Sequence, residues 1–284
     1  MTISLTRYAD IPSGFVPDTL EAAHFTATER NFLLPTVTRL SAAGMQPRKS
    51  SVYGTLSTKA AAEGEDITPE LMSRSADQTL TPSRVAAQVL LTDERIMTDP
   101  ENARADAALL LGSAFAQKVD TDLVSNFASL TGGTIGTTGG TITLTSVSRA
   151  VATLRAGNVP GPYWCVLHPY QWQRVFEGAV ANGANFVMAP AFQDRMIQNY
   201  FVTSILGDVT FVVTSNITVS SSNATGALYN SMAIAYDERD PFTIEPQRDA
   251  SRGGWELNAN VRYAHGVWRP MMGVQLVGLA TMPS

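Results

Sequence analysis

Between positions 100 and 130 the apolar residues Leu111, Phe115, Val119, Leu123, Phe127 and Leu130 recur at steps of four and three. That spacing puts them on one face of a helix. No proline follows Pro100 in this stretch, and its one glycine is Gly112. Thr98 or Asp99 is placed to cap the helix, Pro100 suits its first position, and Glu101 suits the positive end of its dipole. Thr131-Gly132-Gly133 ends it. A continuous helix of this extent is about 45 Å long at 1.5 Å per residue. It is more than twice the average helix length and needs a long surface to pack on.

Toward the C-terminus the period changes to two. Trp255, Leu257, Ala259, Val261, Tyr263 and Val267 alternate with Glu256, Asn258, Asn260 and Arg262, which predicts a half-buried strand over 253–267. Continuous apolar runs predict further strands over 163–167, 207–213, 228–236 and 271–280. Between them lie helical patterns. One is capped by Thr145 or Ser146, after a short strand at Ile142 and Leu144, and stops at Gly157. Another opens at His168-Pro169 and carries Trp172, Val175 and Phe176, and a third covers 192–201. The stretches 132–140 and 220–226 read as a Gly/Thr connector and a polar loop. The alternation over 141–226 is that of a compact α/β block.

The first 90 or so residues are different. Phe15, Phe25, Phe32, Leu33, Leu34, Val37 and Leu40 are diluted among Thr, Ser, Pro and Ala, with a short helix predicted over 27–32 and ended by Pro35. Strand patterns at 52–56 and 78–91 flank the small, acidic stretch 58–66, which reads as a long hairpin. A two-stranded hairpin is marginal alone. With so little core of its own, it is expected to lie on a neighbouring subunit.

Composition points the same way. Charged residues are 16% of the chain, against about 25% in ordinary soluble domains, as expected of a protein that hides much of its surface against partners. The net charge is −5 and no basic run occurs, which argues against gripping nucleic acid through its phosphates. Cys165, the one cysteine, lies in an apolar strand pattern and reads as a small buried hydrophobe. The N-terminus shows no signal-peptide pattern and no apolar run is long enough to span a membrane, so an intracellular origin is expected.

Candidate chemistry is sparse. The histidines are His24 in the N-terminal arm, His168 at a strand-to-helix junction and His265 on the last long strand, and they share no metal-ligand spacing. No G-x-S-x-G elbow is present. Asp120 and Asp122 are two apart on the long helix and face different ways, a poor arrangement for paired carboxylates. Asp237-Glu238-Arg239-Asp240, before Pro241, reads as a solvated turn with at most a weak metal site. Trp164, Trp172, Trp255 and Trp268 are candidates for an aromatic platform, although Trp255 is in phase with a core face. The 132–140 loop lacks the G-K-[ST] of a phosphate cradle. The residues therefore name no catalytic, cofactor-binding or metal site, and a non-enzymatic chain without cofactor is expected.

The order of elements carries more than any motif. Thr92-Asp93-Glu94-Arg95-Ile96 runs into the helix from Pro100. Val166-Leu167-His168-Pro169 opens a helix of the α/β block. Met232-Ala233-Ile234-Ala235-Tyr236 precedes Phe242-Thr243-Ile244-Glu245, and the 253–267 strand precedes one over 273–279. This order resembles the Hong Kong-type (HK97-like) α+β capsid fold of tailed-bacteriophage major capsid proteins. The resemblance implies an N-terminal arm (1–48), an extended E-loop hairpin (49–91), a P-domain with its spine helix (92–140), an α/β A-domain (141–227) and C-terminal P-domain strands (228–284). It implies self-assembly into hexamers and pentamers of an icosahedral shell around double-stranded DNA held without specific binding. Partners would be further copies of the chain, a portal, a separate scaffolding protein (the chain being too short upstream of the arm to carry its own) and a decoration or cement protein, with no membrane. The place would be the virion, after assembly in the bacterial cytoplasm. Lys59 is the only lysine near the hairpin tip, and the lysine crosslinking of some relatives is not carried over to it. Other readings are an encapsulin-like nanocompartment shell, a tail or decoration subunit, and a soluble α/β hydrolase-like enzyme using His168 or His265.

Overall fold

The computed structural model describes residues 32–51, 53, 56–58, 60–66, 69–72, 78–98, 100–182, 204–205 and 208–282. His24, Lys59, the helix predicted over 192–201, and all of the helix predicted over 27–32 except Phe32 lie outside these residues, as do Val52, Gly54 and Thr55 of the first hairpin strand.

The long helix is the axis of the molecule. A short helix α1 (Asp93–Thr98) leads into α2 (Pro100–Ser125), and a 3-10 turn over Asn126–Ser129 extends it. The 26 residues of α2 span about 39 Å at 1.5 Å per residue, a little shorter than the periodicity suggests because the last turn tightens. Leu111, Phe115, Val119, Leu123, Phe127 and Leu130 are all buried, so the predicted face is the packed face.

That face lies on a four-stranded sheet of order β1-β11-β12-β4, built from β1 (Thr38–Ser41), β4 (Ser83–Thr92), β11 (Ile234–Asp249) and β12 (Gly254–Val267). β1 runs parallel to β11, and the other pairs are antiparallel. Leu257, Ala259, Val261 and Tyr263 of β12 point into the shared core, where Phe115 meets Phe242 edge to face at 4.9 Å. The period-two pattern thus describes one wet and one packed face. The opposite face is closed at one end by a short hairpin of β2 (Arg48–Ser50) and β3 (Gln78–Leu80). Leu80 packs there on Ala235 and Ala264, and a Cβ on Gly266 would stand 2.6 Å from a Leu80 methyl. The second predicted hairpin strand is therefore split. Its first part pairs with β2, while Ser83–Thr92 pairs along its length with β12.

The other sheet has the order β5-β13-β10-β6-β8-β7, with β9 beside β10. Its strands are β5 (Thr134–Gly136), β6 (Tyr163–Leu167), β7 (Ser204–Ile205), β8 (Val209–Val213), β9 (Val219–Ser220), β10 (Asn223–Asn230) and β13 (Gly273–Leu279). Helices α3 (Leu144–Ala156) and α4 (Pro169–Asn182) cover one face, where Tyr163, Cys165 and Leu167 join Val147, Leu154 and Trp172. Val166 and Tyr229 on the other face join the core under α2. Strand β6 is buried on both sides, which is why Tyr163–Leu167 reads as a continuous apolar run.

Several local expectations are corrected. Helix α3 begins at Leu144, capped by Thr143 through a reciprocal bond with Ser146, so Leu144 is helical rather than part of a strand. Its C-terminal left-handed residue is Asn158 (φ 56°), not Gly157 (φ −79°). Val159 N–H bonds Leu154 C=O and Asn158 N–H bonds Arg155 C=O, the paired closure of a Schellman end. The 220–226 loop is a tight hairpin instead, with Ser221 and Ser222 at φ 48° and 66°. The 132–140 connector contains β5, where Gly136 (φ 90°) lies so close to Val277 that a Cβ would stand 2.1 Å from its carbonyl oxygen.

The apolar run 228–236 is the plainest departure. It divides between two sheets at a 3-10 turn, Ser231–Ala233. Buried Asn230 makes the break. Its carboxamide oxygen accepts Met232 N–H at 2.9 Å, and its nitrogen donates to the Pro160 carbonyl at 2.8 Å. Likewise Asp237-Glu238-Arg239-Asp240 is no turn but an irregular stretch inside β11, with register shifts between Glu238 and Thr243.

Candidate assembly surfaces

Two polar networks tie the peripheral elements to the body. On the spine, Asp122 accepts from Tyr263 Oη at 2.6 Å and from Lys118 Nζ at 2.6 Å, with His265 Nε2 3.9 Å away. The other ring nitrogen of His265 meets the Asn126 carboxamide at 3.1 Å. Burial lowers the His265 pKa, with Asp122 opposing and Lys118 adding. Asp120 points the other way, into the interior, as the two-residue spacing requires. The second network lies beneath the hairpin. Asp237, fully buried, accepts from Arg239 at 2.7 Å and from Arg48 of β2 at 3.0 Å, and Arg239 also donates to Gly44 C=O. A buried charge needs such partners, and here the partners are what hold the hairpin base to β11.

Beyond that base, the described residues 56–58, 60–66 and 69–72 are exposed. Ser57 N–H and hydroxyl both donate to the Glu70 carboxylate, at 2.9 and 2.8 Å, so the segment folds back on itself. Its large apolar side chains are nonetheless uncovered, with Leu71 93% and Met72 62% exposed. A second uncovered apolar area lies where β4 meets the start of the spine. A shallow groove of about 340 Å³ there is lined by Val89, Leu90, Leu91, Ala107 and Leu110, with Arg95 and Asp106 paired at its side. Among the described residues, strand β4 is also the edge of its sheet and its outer backbone groups face no strand, a ready template for further pairing. Uncovered apolar area of this kind marks a contact surface.

The residues considered for chemistry are not brought together. His168 is buried, accepts Tyr170 N–H at Nδ1 (3.2 Å), and has its pKa lowered by burial. Cys165 is buried and burial pushes its thiol up. Trp172 is buried against Phe211 with ring centres 5.0 Å apart, Trp164 faces the α2 core and Trp268 packs near Leu80. Trp255, expected in the core, is half-buried with the Arg248 guanidinium 5.6 Å from its ring centre. The four indoles form no common platform. Among the described residues, no group of three or more His, Cys, Asp or Glu is placed to hold a metal, and no helix is long and apolar enough to cross a membrane. Sequence reasoning missed Asp237 and Arg239 as buried residues, because a charged run before a proline looks like a turn when its distant partner Arg48 is unknown.

Comparison with known proteins gives this architecture a context. A family model described as phage capsid protein matches residues 76–276. No curated protein matches the chain. Among solved structures, the capsid of the cyanophage P-SCSP1u is similar at 14% identity and a TM-score of 0.67, covering 87% of this chain and 87% of that one. The head of Helicobacter pylori bacteriophage KHP40 is similar at 10% identity and 0.66, covering 86% and 88%. A virus-like particle from Pyrococcus furiosus is similar at 11% identity and 0.61, covering 92% and 99%. At these identities the structural likeness establishes the fold, which is the HK97-like α+β arrangement.

Proposed function

The chain belongs to the phage capsid protein family, and from that premise we propose that its copies form the hexamers and pentamers of an icosahedral shell around double-stranded DNA. The family makes this a major capsid protein: its role is structural, it assembles with itself into a shell, and its place is the virion capsid. The observation that carries this proposal is the uncovered apolar surface at two places, among the described residues of 56–72 and in the groove between β4 and α2. A subunit that stayed alone would leave both in water, while a subunit in a closed lattice covers them.

In this reading residues 1–48 act as the arm, 49–91 as the E-loop, 92–140 and 228–284 as the P-domain and 141–227 as the A-domain. These are functional divisions more than sheet divisions, since β13 shares a sheet with β6 and β8. The packing of α2 on β4, β11 and β12 supports grouping the spine with the later strands. A net charge of −5 suits a container that holds DNA without sticking to it, because like charges disfavour close contact. A separate scaffolding protein, a portal and a decoration protein complete the proposed partners, with assembly in the host cytoplasm and no catalytic role.

Electron microscopy of material expressed with and without the neighbouring genes tests this. Closed shells, or rings of five and six subunits, are expected. A subunit that stays monomeric with every candidate partner overturns the proposal. The similarity to the Pyrococcus furiosus particle keeps a cellular nanocompartment as the second reading. Terminase and portal genes beside this one, and DNA-filled shells, distinguish the phage capsid from it.

A further inference from the structure

Within the spine helix, the order Lys118-Val119-Asp120-Thr121-Asp122 separates two carboxylates by 200° of helical turn. Asp122 reaches Lys118 and Tyr263. Asp120 is 1% exposed, and among the described residues no cation pairs with it. Its oxygens are met instead by backbone. Phe32 N–H donates to Oδ2 and Leu33 N–H to Oδ1, each at 3.3 Å, and the Asn216 carboxamide donates to Oδ2 at 3.5 Å.

Phe32 and Leu33 are the first of the described residues. Leu33 is fully buried, and its carbonyl accepts the Thr36 hydroxyl at 2.7 Å, which in turn lies 2.7 Å from Tyr229 Oη. Among the described residues, the one charge at this junction is therefore a carboxylate held by the consecutive amides of Phe32 and Leu33.

We propose that Asp120 is an acid-tightened clasp on the root of the N-terminal arm: neutral, it holds Phe32 and Leu33 against the spine helix, and ionised, it loosens them. Burying an unpaired carboxylate ion is costly. If the root lifts, the group meets water and the cost disappears. The structure supports this sense, since burial pushes the Asp120 pKa up to about 6 while the three N–H donors pull it down. In the lifted state the group titrates near its ordinary value of about 3.9. The closed state thus binds the proton more tightly, so closure strengthens as pH falls from about 6 toward 4 and is weakest above 6.

Among the described residues, the groups facing Asp120 do not compete in that window. The arm root presents Thr36, the loop before β9 presents Thr214 and Asn216, and β10 presents Tyr229, whose hydroxyl burial pushes far up so that it stays neutral. Lys118 and Asp122 on the same helix are paired with each other. The clasp concerns the subunit itself and does not depend on what the arm touches in a shell.

Hydrogen–deuterium exchange of the full chain, read by mass spectrometry on peptides covering 32–36 and expressed as protection relative to intrinsic rates, tests the clasp between pH 7.5 and 5.0. Wild-type protection is expected to rise at least several-fold on acidification; a closed-state pKa of about 6 against an ordinary value of about 3.9 allows roughly tenfold across this window. Asp120→Asn, neutral at every pH, should show protection that does not change with pH across this window. Flat wild-type protection, protection that rises with pH, or a variant that follows the wild type overturns the proposal. Should Asp120→Asn fail to fold, Asn216→Ala serves. Removing a donor to the ionised form moves the midpoint to higher pH, and an unmoved midpoint also overturns it.

Discussion

Tyr263 of β12 donates its hydroxyl to Asp122 of the spine helix at 2.6 Å, across 141 positions of sequence. The bond closes the polar edge of an otherwise apolar interface, beside the Tyr236 ring at 5.1 Å. A hydrogen bond to a charged group contributes about 1.5–3 kcal/mol. Tyr263→Phe keeps the ring and removes the bond, so a loss in that range is expected in urea unfolding of the subunit. Lys118→Ala, which removes only the exposed partner of Asp122, should cost under about 1 kcal/mol.

The buried pairings of Asp237 predict a larger asymmetry. Asp237→Ala strands Arg239, whose side chain is 4% exposed, and breaking a buried pair costs about 3–5 kcal/mol. Arg48 is 31% exposed on its side chain, so Arg48→Ala should cost distinctly less. Exchange of the β2 and β3 amides should nevertheless speed up in both variants, because Arg48 is the ion-pair partner on the hairpin itself.

Acidification should act through the histidines in the opposite sense to Asp120. Burial lowers the pKa of His168 and of His265, so below the ordinary value of about 6.5 the unfolded chain takes up more protons than the folded one. Their contribution is present above that pH and is lost as pH falls through the folded values. The melting temperature of His168→Gln/His265→Gln should fall less between pH 7 and pH 5 than that of the wild type. An equal fall would exclude the histidines as the cause.

Gly136 offers a backbone test. With φ at 90° and the Val277 carbonyl against the missing Cβ, Gly136→Ala forces both strain and a clash. Left-handed strain alone costs about 1–3 kcal/mol. The parallel pairing of β5 with β13 should loosen first, visible as faster exchange at Thr134–Gly136. Gly139→Ala, where φ is 81° but no atom lies within 4 Å, isolates the strain from the clash and should cost less.

Elements whose cause is local were legible beforehand. The buried face of α2, the alternation in β12 and the double-sided run of β6 follow from side-chain periods of 3.6 and 2, which neighbouring residues alone specify. The start of α3 was off by a residue or two because Thr143, Thr145 and Ser146 are all capable caps, and only the observed bond between Thr143 and Ser146 selects one.

What the sequence determined by itself is therefore the main elements, their order and, through that order, the family resemblance. The tertiary structure decided how polar residues within those elements are used. Asn230 splits one apolar run between two sheets because the Pro160 carbonyl, 70 positions away, accepts its carboxamide. Asp237 is a buried junction rather than a turn because Arg48, 189 positions away, reaches it. Asp120 looks like any helix carboxylate until Phe32 and Leu33 close over it. A charged side chain has no preferred neighbour at fixed spacing, so whether it is solvated or buried depends on partners that only the folded chain brings within hydrogen-bond reach.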